Sequence, residues 1–493
     1  MTECVCGVLI VDGKTYGRNK NKLLYKCIPY ETQLPPILVP YEENTNTFSK
    51  LKVNKYITFQ INVTNPSLAL LTNTLGNVDD LEAYTQYQLL AKGLNSSLKD
   101  FNSRALREKQ PSLSKLMVED RRERTILSID PEGCNDIDDA IGLYKPADAN
   151  DSETILSIYI ANVPLVMEHL ELWAAMSERI ATIYLGTRKI PMLPPILSED
   201  QCSLKEGEER LAFALDVHMN NNNKSNSIIT YSCHTVLIKV EKNYAYEASE
   251  LLTRADYQAL LQCSRDLNKT MGYVDQLNDS HELIEFCMIL MNYECSKLLL
   301  AKQRGIFRSA TKKADTRDIC ALVPPDCKHL LQSVAGEYSS VQDMKPHELM
   351  GTSGLPSYVH ITSPIRRLVD CLNMLELQRD VFMPSTGAQQ FLAKWLDKIP
   401  FINKKNKAIR KLQNEVTLLQ LYQKDNKHIY KGLVFGRTIT ASFFKYKVYL
   451  PAIKLLTTVY SPKEVTDYTF ADFTMHWFLD ESRMSKKIRL QML

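Results

Sequence analysis

Apolar residues in this 493-residue chain recur with a strand pattern near both ends and with a helical period between them. From Val5 to Leu94, short runs rich in β-branched and aromatic residues alternate with Asn, Thr, Pro and Gly turns, which is typical of a small β-barrel. Residues 391–423 favour helix, and residues 430–493 favour strands again. Residues 278–304 predict a core helix, with apolar side chains at Leu283, Phe286, Cys287, Leu290, Met291 and Leu298.

One short segment is unusually acidic. Residues 128–139 contain four aspartates beside one Glu and no Lys or Arg, and they follow a β-prone run at residues 125–129. Pro, Gly and Asn between the aspartates favour a tight loop after that strand. Desolvated carboxylates raise one another's pKa, and a hard divalent cation relieves this by taking their oxygens as ligands. The segment therefore predicts a magnesium site formed by Asp130, Asp136, Asp138 and Asp139.

Two other interpretations suit an Asp-rich loop, namely a solvated acidic turn and a lone calcium loop. The EF-hand form of a calcium loop is not met, because its sixth position lacks Gly and its twelfth lacks Glu. The choice between a magnesium site and a solvated acidic turn depends on whether other segments of the chain offer groups that bind phosphate.

A second segment, residues 358–370, supplies hydroxyls, one imidazole and two adjacent guanidiniums before an apolar run. Such groups bind phosphate. Pro364 favours the first turn of a helix with Ser363 as its cap, which would aim free N–H groups at an anion and place Arg366 one turn inside. An ordinary helix start with a solvated basic face is the alternative. The acidic loop in the same chain favours the phosphate site.

The two segments resemble, nearly residue for residue, the signatures of the RNase II/RNase R family of exoribonucleases, which includes the catalytic subunit of the exosome. The likeness extends over roughly residues 120 to 425 and includes several further blocks. These blocks are residues 179–184, 189–195, 197–204, 207–210, 244–248 and 283–292.

The resemblance implies an α+β multidomain fold. A central RNB catalytic domain at residues 125–427 would be flanked by an N-terminal cold-shock or OB-type β-barrel at residues 1–94 and by a C-terminal OB-type RNA-binding β-barrel at residues 428–493. The charged residues 95–124 would form a helical linker. We see room for about one N-terminal barrel and no N-terminal PIN nuclease of the kind that exosome subunits carry.

The resemblance also implies an activity: 3′-to-5′ hydrolysis of single-stranded RNA to 5′-nucleoside monophosphates, with two Mg²⁺ ions that Mn²⁺ can replace. Asp130, Asp136, Asp138 and Asp139 would be the metal-site residues, and Asp138 and Arg366 the catalytic residues. The RNA-binding residues would be Tyr184, Tyr246, Glu285, Thr362, Ser363, Arg366 and Arg367.

The chain departs from the family pattern at three positions. Tyr159 and Asn162 stand where the family usually has His and Asp, and Met374 stands where a His commonly follows the arginines. The second aromatic residue of the family's base clamp has no clear counterpart, and Tyr273 is the candidate. A catalytically inactive RNA-binding scaffold and a metal-dependent phosphatase or DNA nuclease are the alternatives. The four aspartates favour the exoribonuclease.

Composition does not change this functional prediction, since a net charge of +3 and a hydrophobic content of 44% are ordinary values. Two basic clusters are either solvated helix faces or phosphate-binding surfaces: Lys302, Arg304, Arg308, Lys312 and Lys313, and Lys404, Lys405, Lys407, Arg410 and Lys411. Phe443, Phe444 and Tyr446 are candidates for base stacking in the C-terminal barrel.

The twelve cysteines lack paired CxxC spacing, and they predict reduced core thiols rather than a zinc site. No apolar stretch of about 18 residues is available to cross a membrane, and the first residues do not resemble a secretion signal. We therefore expect a monomer inside the cell, cytoplasmic or nuclear, that binds single-stranded RNA with a free 3′ end. Association with a larger RNA-decay complex is compatible with the sequence.

Overall fold

The computed structural model describes residues 4–42, 52–62, 65–107, 118–146, 153–186, 188–220, 227–310, 336–348, 354–440, 443–480 and 485–493. Lys312 and Lys313 of the first basic cluster lie outside the described residues. The described parts form a mixed α and β structure with β-rich ends and a mixed centre, which confirms the predicted α+β multidomain class.

The N-terminal strands form one curled sheet in the order β2-β3-β1-β5-β6, with β4 paired to β3. A bridge between Leu38 and Leu68 joins β4 to the start of β6, so that the strands close into a barrel. Along β3, Tyr25 and Cys27 point into its core. The strands are β1 (Val5–Leu9), β2 (Thr15–Asn19), β3 (Lys22–Pro29), β4 (Ile37–Tyr41), β5 (Lys55–Ile61) and β6 (Ala69–Asn77).

Two helices follow the barrel, α1 (Leu81–Ala91) and α2 (Lys99–Arg107). The sequence predicted β-rich structure as far as Leu94, and this was wrong after β6. Asp80 explains the change, because its side chain accepts hydrogen bonds from the N–H groups of Glu82 and Ala83 and so caps α1.

A seven-stranded sheet in the order β15-β8-β9-β10-β13-β14-β7 forms the centre of the protein. Its strands are β7 (Glu119–Asp120), β8 (Leu127–Asp130), β9 (Asp139–Tyr144), β10 (Glu153–Ala161), β13 (Glu209–Asn220), β14 (Ser227–Lys239) and β15 (Lys242–Ala245). Two small two-stranded sheets lie outside this sheet: β11 (Ile183–Leu185) with β12 (Arg188–Ile190), and β16 (Phe307–Ser309) with β17 (Glu337–Ser339).

Both faces of this central sheet are buried, because side chains of successive residues point to opposite faces. Leu156, Ile158 and Ile160 of β10 belong to one core, and Tyr159 and Ala161 belong to the other. Helices cover both faces: α3 (Val163–His169), α4 (Ser249–Thr253), α5 (Ala255–Met271), α6 (Ser280–Ala301), α7 (Leu368–Gln378), α8 (Thr386–Leu396) and α9 (Ile399–Lys424). The predicted helix at residues 278–304 is confirmed as α6, and the helix-prone residues 391–423 form parts of α8 and α9.

The C-terminal strands form a nearly closed five-stranded barrel in the order β20-β19-β18-β21-β22. The end of α9 packs on it, since Leu418 belongs to the same core as Tyr430 and Phe473. The strands are β18 (Tyr430–Ile439), β19 (Phe444–Leu450), β20 (Leu455–Ser461), β21 (Thr469–Asp480) and β22 (Ser485–Met492). No helix in the described residues is long and apolar enough to span a bilayer.

The unusual residues Tyr159, Asn162 and Met374 fit this packing. Tyr159 is buried under the Arg121 guanidinium, and Met374 lies in the core beneath α6. The Asn162 side chain caps α3 by accepting a hydrogen bond from Leu165 N–H. It also exchanges two hydrogen bonds with the side-chain amide of Gln378. The three departures from the family pattern thus have packing roles.

A buried ion pair holds the segment before β8 against the central sheet. Arg121 donates to both carboxylate oxygens of Asp216, at 2.9 and 2.7 Å, and both residues are almost fully buried. Ser157 donates to the same carboxylate, and Glu119 accepts two further bonds from the guanidinium. Removing one partner of such a pair leaves a buried charge without compensation.

We predict that Asp216→Asn destabilises the protein by about 3 kcal/mol, near the lower end of the range for a broken buried pair, because Glu119 still compensates part of the Arg121 charge. The measurement is the thermal unfolding midpoint. The matched control is Asp380→Asn, which removes an exposed carboxylate paired with Lys302 and Arg304 and should leave the midpoint unchanged. Equal midpoints for the two variants would contradict the prediction.

Candidate active site

The acidic loop connects two adjacent strands of the central sheet. Strand β8 ends at Asp130, strand β9 begins at Asp139, and the two strands pair antiparallel. Gly133 has φ +76° in the intervening turn, a conformation that side-chain-bearing residues rarely adopt. The predicted arrangement of strand followed by tight loop is confirmed, and it places the carboxylates at one edge of the sheet.

Asp138 is bound to the segment that contains the second motif. Its Oδ1 accepts from Ile365 N–H at 2.9 Å, and its Oδ2 accepts from Arg366 Nε at 3.0 Å. The Asp138 side chain is 2% exposed, whereas that of Arg366 is 45% exposed. Burial raises the pKa of Asp138 to about 7, although the nearby Arg366 charge acts in the opposite direction. The two sequence motifs therefore meet through one ion pair.

The local structure around Arg366 differs from the prediction. Pro364 lies in a turn, and helix α7 begins only at Leu368, so Ser363 does not cap it. Instead, Ser363 N–H donates to Asp370 Oδ1, and the Ser363 hydroxyl lies 3.0 Å from Arg366 Nη2 and 3.1 Å from Arg367 Nη2. The turn thus fixes both guanidiniums before the helix starts.

Asp136 also has a cationic partner. Lys189 of β12 donates to Asp136 Oδ1 at 3.1 Å and lies 3.0 Å from Glu199. The sequence shows no basic residue beside the aspartates, but folding brings Lys189 and Arg366 to two of them.

The other two aspartates keep a buried oxygen without a hydrogen-bond partner in the described structure: Oδ2 of Asp130 and Oδ2 of Asp139. Burial raises the pKa of Asp130 to about 6, and burial together with the Asp130 charge raises the pKa of Asp139 well above its usual range. Mg²⁺ is usually bound by one or two carboxylates together with water and phosphate oxygens. The pair fits such an ion.

The described residues contain no group of three or more His, Cys, Asp and Glu side chains arranged to hold a metal ion. The four aspartates are therefore divided into one pair with cationic partners, Asp136 and Asp138, and one pair with unsatisfied oxygens, Asp130 and Asp139. The metal-ligand roles given to all four in the sequence remain a prediction.

A cavity of about 800 Å³ opens beside the acidic loop. Pairing of residues 180–182 with residues 366–368 brings Tyr184 to its wall, and Tyr246 follows β15 with its N–H bonded to Asp130 O. On α6, Glu285 and Asn292 are separated by seven residues and share one helical face. All predicted site residues line this cavity: Asp130, Asp136, Asp138, Asp139, Tyr184, Tyr246, Glu285, Thr362, Ser363, Arg366 and Arg367.

The structure also places residues that the sequence did not identify. His281, at the start of α6, stacks on Tyr246 with ring centroids 3.8 Å apart and planes 9° from parallel. Hydrogen bonds between their neighbours, Glu247 and Ser280, hold this arrangement. Tyr273 packs instead against Phe286 and Tyr293 and is absent from the cavity wall. No sequence spacing indicated His281, because it lies 35 positions after its partner.

Two residues of the first basic cluster form ion pairs within the protein. Lys302 and Arg304 are both paired with Asp380.

The three aromatic residues predicted to stack on bases in the C-terminal barrel differ in exposure. Tyr446 is fully buried and Phe444 packs against the core, whereas Phe443 is 49% exposed. Tyr446 is therefore unavailable for base stacking, and the exposure of Phe443 leaves it available.

Comparison with known proteins identifies the central part of the chain. Residues 118–270 match the RNB domain model. The chain is 36% identical over 165 residues to DIS3-like exonuclease 2 of Schizosaccharomyces pombe, a match that covers 32% of this chain and 17% of that protein. The chain spans less than half of the length of the curated relatives that it matches.

Solved structures share the fold along nearly the whole chain. RNase R of Mycoplasma genitalium, solved with ribose-methylated single-stranded RNA, has a TM-score of 0.68 and 16% identity, covering 99% of this chain and 89% of that one. Yeast Ssd1, described as a pseudonuclease, has a TM-score of 0.62 and 13% identity, covering 96% of this chain and 66% of that one. The RNB match and the curated relatives support an RNB-domain protein of the RNase II and RNase R family, and the solved structures show that the fold is shared.

Proposed function

We propose that this chain is a 3′-to-5′ exoribonuclease that hydrolyses single-stranded RNA to 5′-nucleoside monophosphates. One observation carries the proposal: a partly exposed guanidinium, Arg366, is fixed by Asp138 in the same cavity as two carboxylates with unsatisfied oxygens, Asp130 and Asp139. Paired carboxylates and an adjacent phosphate-binding group are what metal-assisted phosphodiester hydrolysis requires.

Asp130 and Asp139 would hold the divalent cation, and Asp136 and Asp138 would join them if Lys189 and Arg366 released their carboxylates. Mg²⁺, with Mn²⁺ as a substitute, is the ion that matches oxygen ligands. When two such ions are bound, they activate water, neutralise phosphate charge and stabilise the departing 3′-oxygen.

Arg366 would bind the scissile phosphate. The described contacts of its guanidinium use Nε, for Asp138, and Nη2, for the Ser363 hydroxyl, and none of them uses Nη1. Because the orientation of this guanidinium is already fixed, it needs little reorganisation free energy when negative charge develops on the phosphate. Asp138 would therefore act in the chemical step at least by positioning Arg366.

The remaining cavity residues would hold the 3′ end of the strand. Tyr184, which is 43% exposed, and Tyr246 offer ring faces for base stacking. Glu285, Thr362, Ser363 and Arg367 offer polar groups for sugar and phosphate, and contacts to the 2′-OH would distinguish RNA from DNA.

The partner in this proposal is single-stranded RNA with a free 3′ end. We place the activity inside the cell, where such RNA is degraded, with the protein acting as a monomer or within a larger RNA-decay complex.

A catalytically inactive RNA-binding scaffold is the second candidate. It is favoured by the ion pairs that occupy Asp136 and Asp138, since the described residues contain no complete metal-ligand group. The fold does not decide between the two, because RNase R and the pseudonuclease Ssd1 both share it. The unsatisfied oxygens of Asp130 and Asp139 favour the enzyme, since an unpaired buried carboxylate is costly without a ligand.

Purified protein should shorten 5′-labelled single-stranded RNA stepwise from its 3′ end in Mg²⁺, and it should leave DNA of the same sequence largely intact. Asp138→Asn should slow cleavage by about 10²- to 10³-fold, because it removes the charge that holds Arg366. Gel electrophoresis of the labelled products measures both results.

The same reactions with a chelator separate the candidates. RNA binding without cleavage at any Mg²⁺ or Mn²⁺ concentration would support the scaffold, and equal digestion of DNA would support a broader nuclease. Chelator should abolish cleavage by the proposed enzyme, and cleavage that continues in its presence would contradict the metal-dependent mechanism.

Arg366→Lys should lower kcat by about 10²- to 10³-fold while RNA affinity changes little, because a lysine cannot keep the Asp138 contact and donate to two phosphate oxygens together. Single-turnover rates and binding in chelator give the two quantities. Arg304→Lys is the matched control at an exposed arginine paired with Asp380. A variant that lost affinity and kept its rate would refute this role for Arg366.

Mg²⁺ or Mn²⁺ should raise the thermal unfolding midpoint of the RNA-free protein, since a ligand at 100 times its Kd stabilises the folded state by about 2.7 kcal/mol. Asp139→Asn should abolish this shift by removing a carboxylate of the unsatisfied pair, and Asp380→Asn should preserve it. The idea of a metal site at Asp130 and Asp139 fails if Asp139→Asn retains the full shift.

A further inference from the structure

A second pair of arginines, Arg308 and Arg410, lies behind the cavity wall. Arg308 belongs to β16 and is paired in register with Tyr338 of β17. Its guanidinium lies 5.7 Å from the centroid of the Tyr338 ring. The Tyr338 hydroxyl is 2.7 Å from His360 Nδ1, and His360 lines the cavity. A continuous wall therefore runs from the cavity through His360 and Tyr338 to Arg308.

Helix α9 brings Arg410 to the same place. Asn403 of this helix exchanges two hydrogen bonds with the main chain of Tyr338, at 2.9 and 2.8 Å, and so docks one face of α9 on β17. Arg410 follows seven residues, or two turns, later and shares that face. The pKa of Arg410 is lowered, first by burial and then by the positive charge of Arg308. The two cations are thus close enough to repel each other.

The neighbouring cations have partners among the described residues. Lys407 is paired with Glu337 and Lys411 with Glu415, while Lys405 donates to two main-chain carbonyls. Within the described parts of the chain, no ion pair joins Arg308 or Arg410 to a carboxylate. Two adjacent guanidiniums to which the described residues supply no carboxylate repel each other, and a bound anion would relieve that repulsion.

The backbone is adapted to the position of Arg308. A Cβ atom at Gly336 would overlap Nη2 and Cζ of the Arg308 guanidinium. The guanidinium of Arg308 therefore lies directly against the chain at Gly336, beside Tyr338.

We propose that Arg308 and Arg410 together bind one phosphodiester group of the RNA strand, upstream of the nucleotide that Arg366 holds. Guanidinium forks match phosphate oxygens in geometry and charge. The site adjoins the cavity wall, so the phosphate it faces belongs to the part of the strand that has not yet entered. The identity of the ligand as RNA rests on the proposed function, whereas the site itself rests on the two arginines.

The test is the salt dependence of RNA binding, measured in chelator so that no cleavage is needed. The probe is a 5′-fluorescent single-stranded oligouridylate, and its anisotropy gives the association constant over a series of KCl concentrations. Each phosphate contact on a single strand contributes a slope of about −0.7 to log K against log salt. Arg410→Gln should weaken binding and reduce the steepness by up to about 0.7.

The double variant Arg308→Gln with Arg410→Gln should reduce the steepness by about 0.7 in total, because both side chains bind the same phosphate. Arg304→Gln, which removes a cation paired with Asp380, should leave the slope unchanged. Oligonucleotides of different sequence should be weakened equally, since phosphate contacts do not read bases. Uridine 5′-monophosphate and inorganic phosphate, added as competitors, show whether a free phosphate can occupy the site.

An unchanged slope in Arg410→Gln and in the double variant, with unchanged unfolding midpoints, would overturn the proposal. So would a wild-type protein that binds no RNA, or competition by inorganic phosphate as strong as by RNA. Absence of cleavage alone would refute the proposed function and leave this site intact. An active enzyme whose variants keep the wild-type slope would refute only this site.

Discussion

The ion pair between Asp138 and Arg366 joins two segments that are 228 residues apart in the chain. The structure collects four carboxylates at one edge of the central sheet, and such an arrangement is stable only if opposite charge or a cation compensates it. Arg366 compensates Asp138, and Lys189 compensates Asp136. Asp130 and Asp139 are left with a buried oxygen each that the described residues do not satisfy, and the chemistry of the cavity follows from that pair.

The rest of the fold holds these charges in place. The central sheet is buried on both faces, so the positions where β8 ends and β9 begins are fixed by packing in two cores. The segment before β8 is tied to the sheet by the Arg121–Asp216 pair. Helix α6 supplies one wall of the cavity, and the turn before α7 supplies another. The cavity thus lies where several separate segments meet.

The shared fold of RNase R and Ssd1 means that architecture alone does not distinguish a nuclease from a pseudonuclease. The distinction lies in a few side chains: whether Asp130 and Asp139 keep oxygens available to a cation, and whether Arg366 keeps donors available to phosphate. The proposed further site at Arg308 and Arg410 follows the same principle, because two like charges that the described residues do not compensate favour a ligand of opposite charge. It would extend the contact with the strand beyond the reacting end.

The sequence by itself determined the β-rich ends, the helix α6, the acidic loop and the presence of the arginine motif, because these depend on local periodicity, turn residues and spacing. It did not determine that α1 follows β6, or that Ser363 would precede α7 without capping it. Hydrogen bonds that the carboxylates of Asp80 and Asp370 accept from main-chain N–H groups decide those two positions. Only the tertiary structure decided which aspartates have cationic partners, that His281 stacks on Tyr246, and that Tyr446 is buried. The physical reason is that charge compensation and ring stacking act through space between residues far apart in the chain, where sequence spacing carries no information about distance.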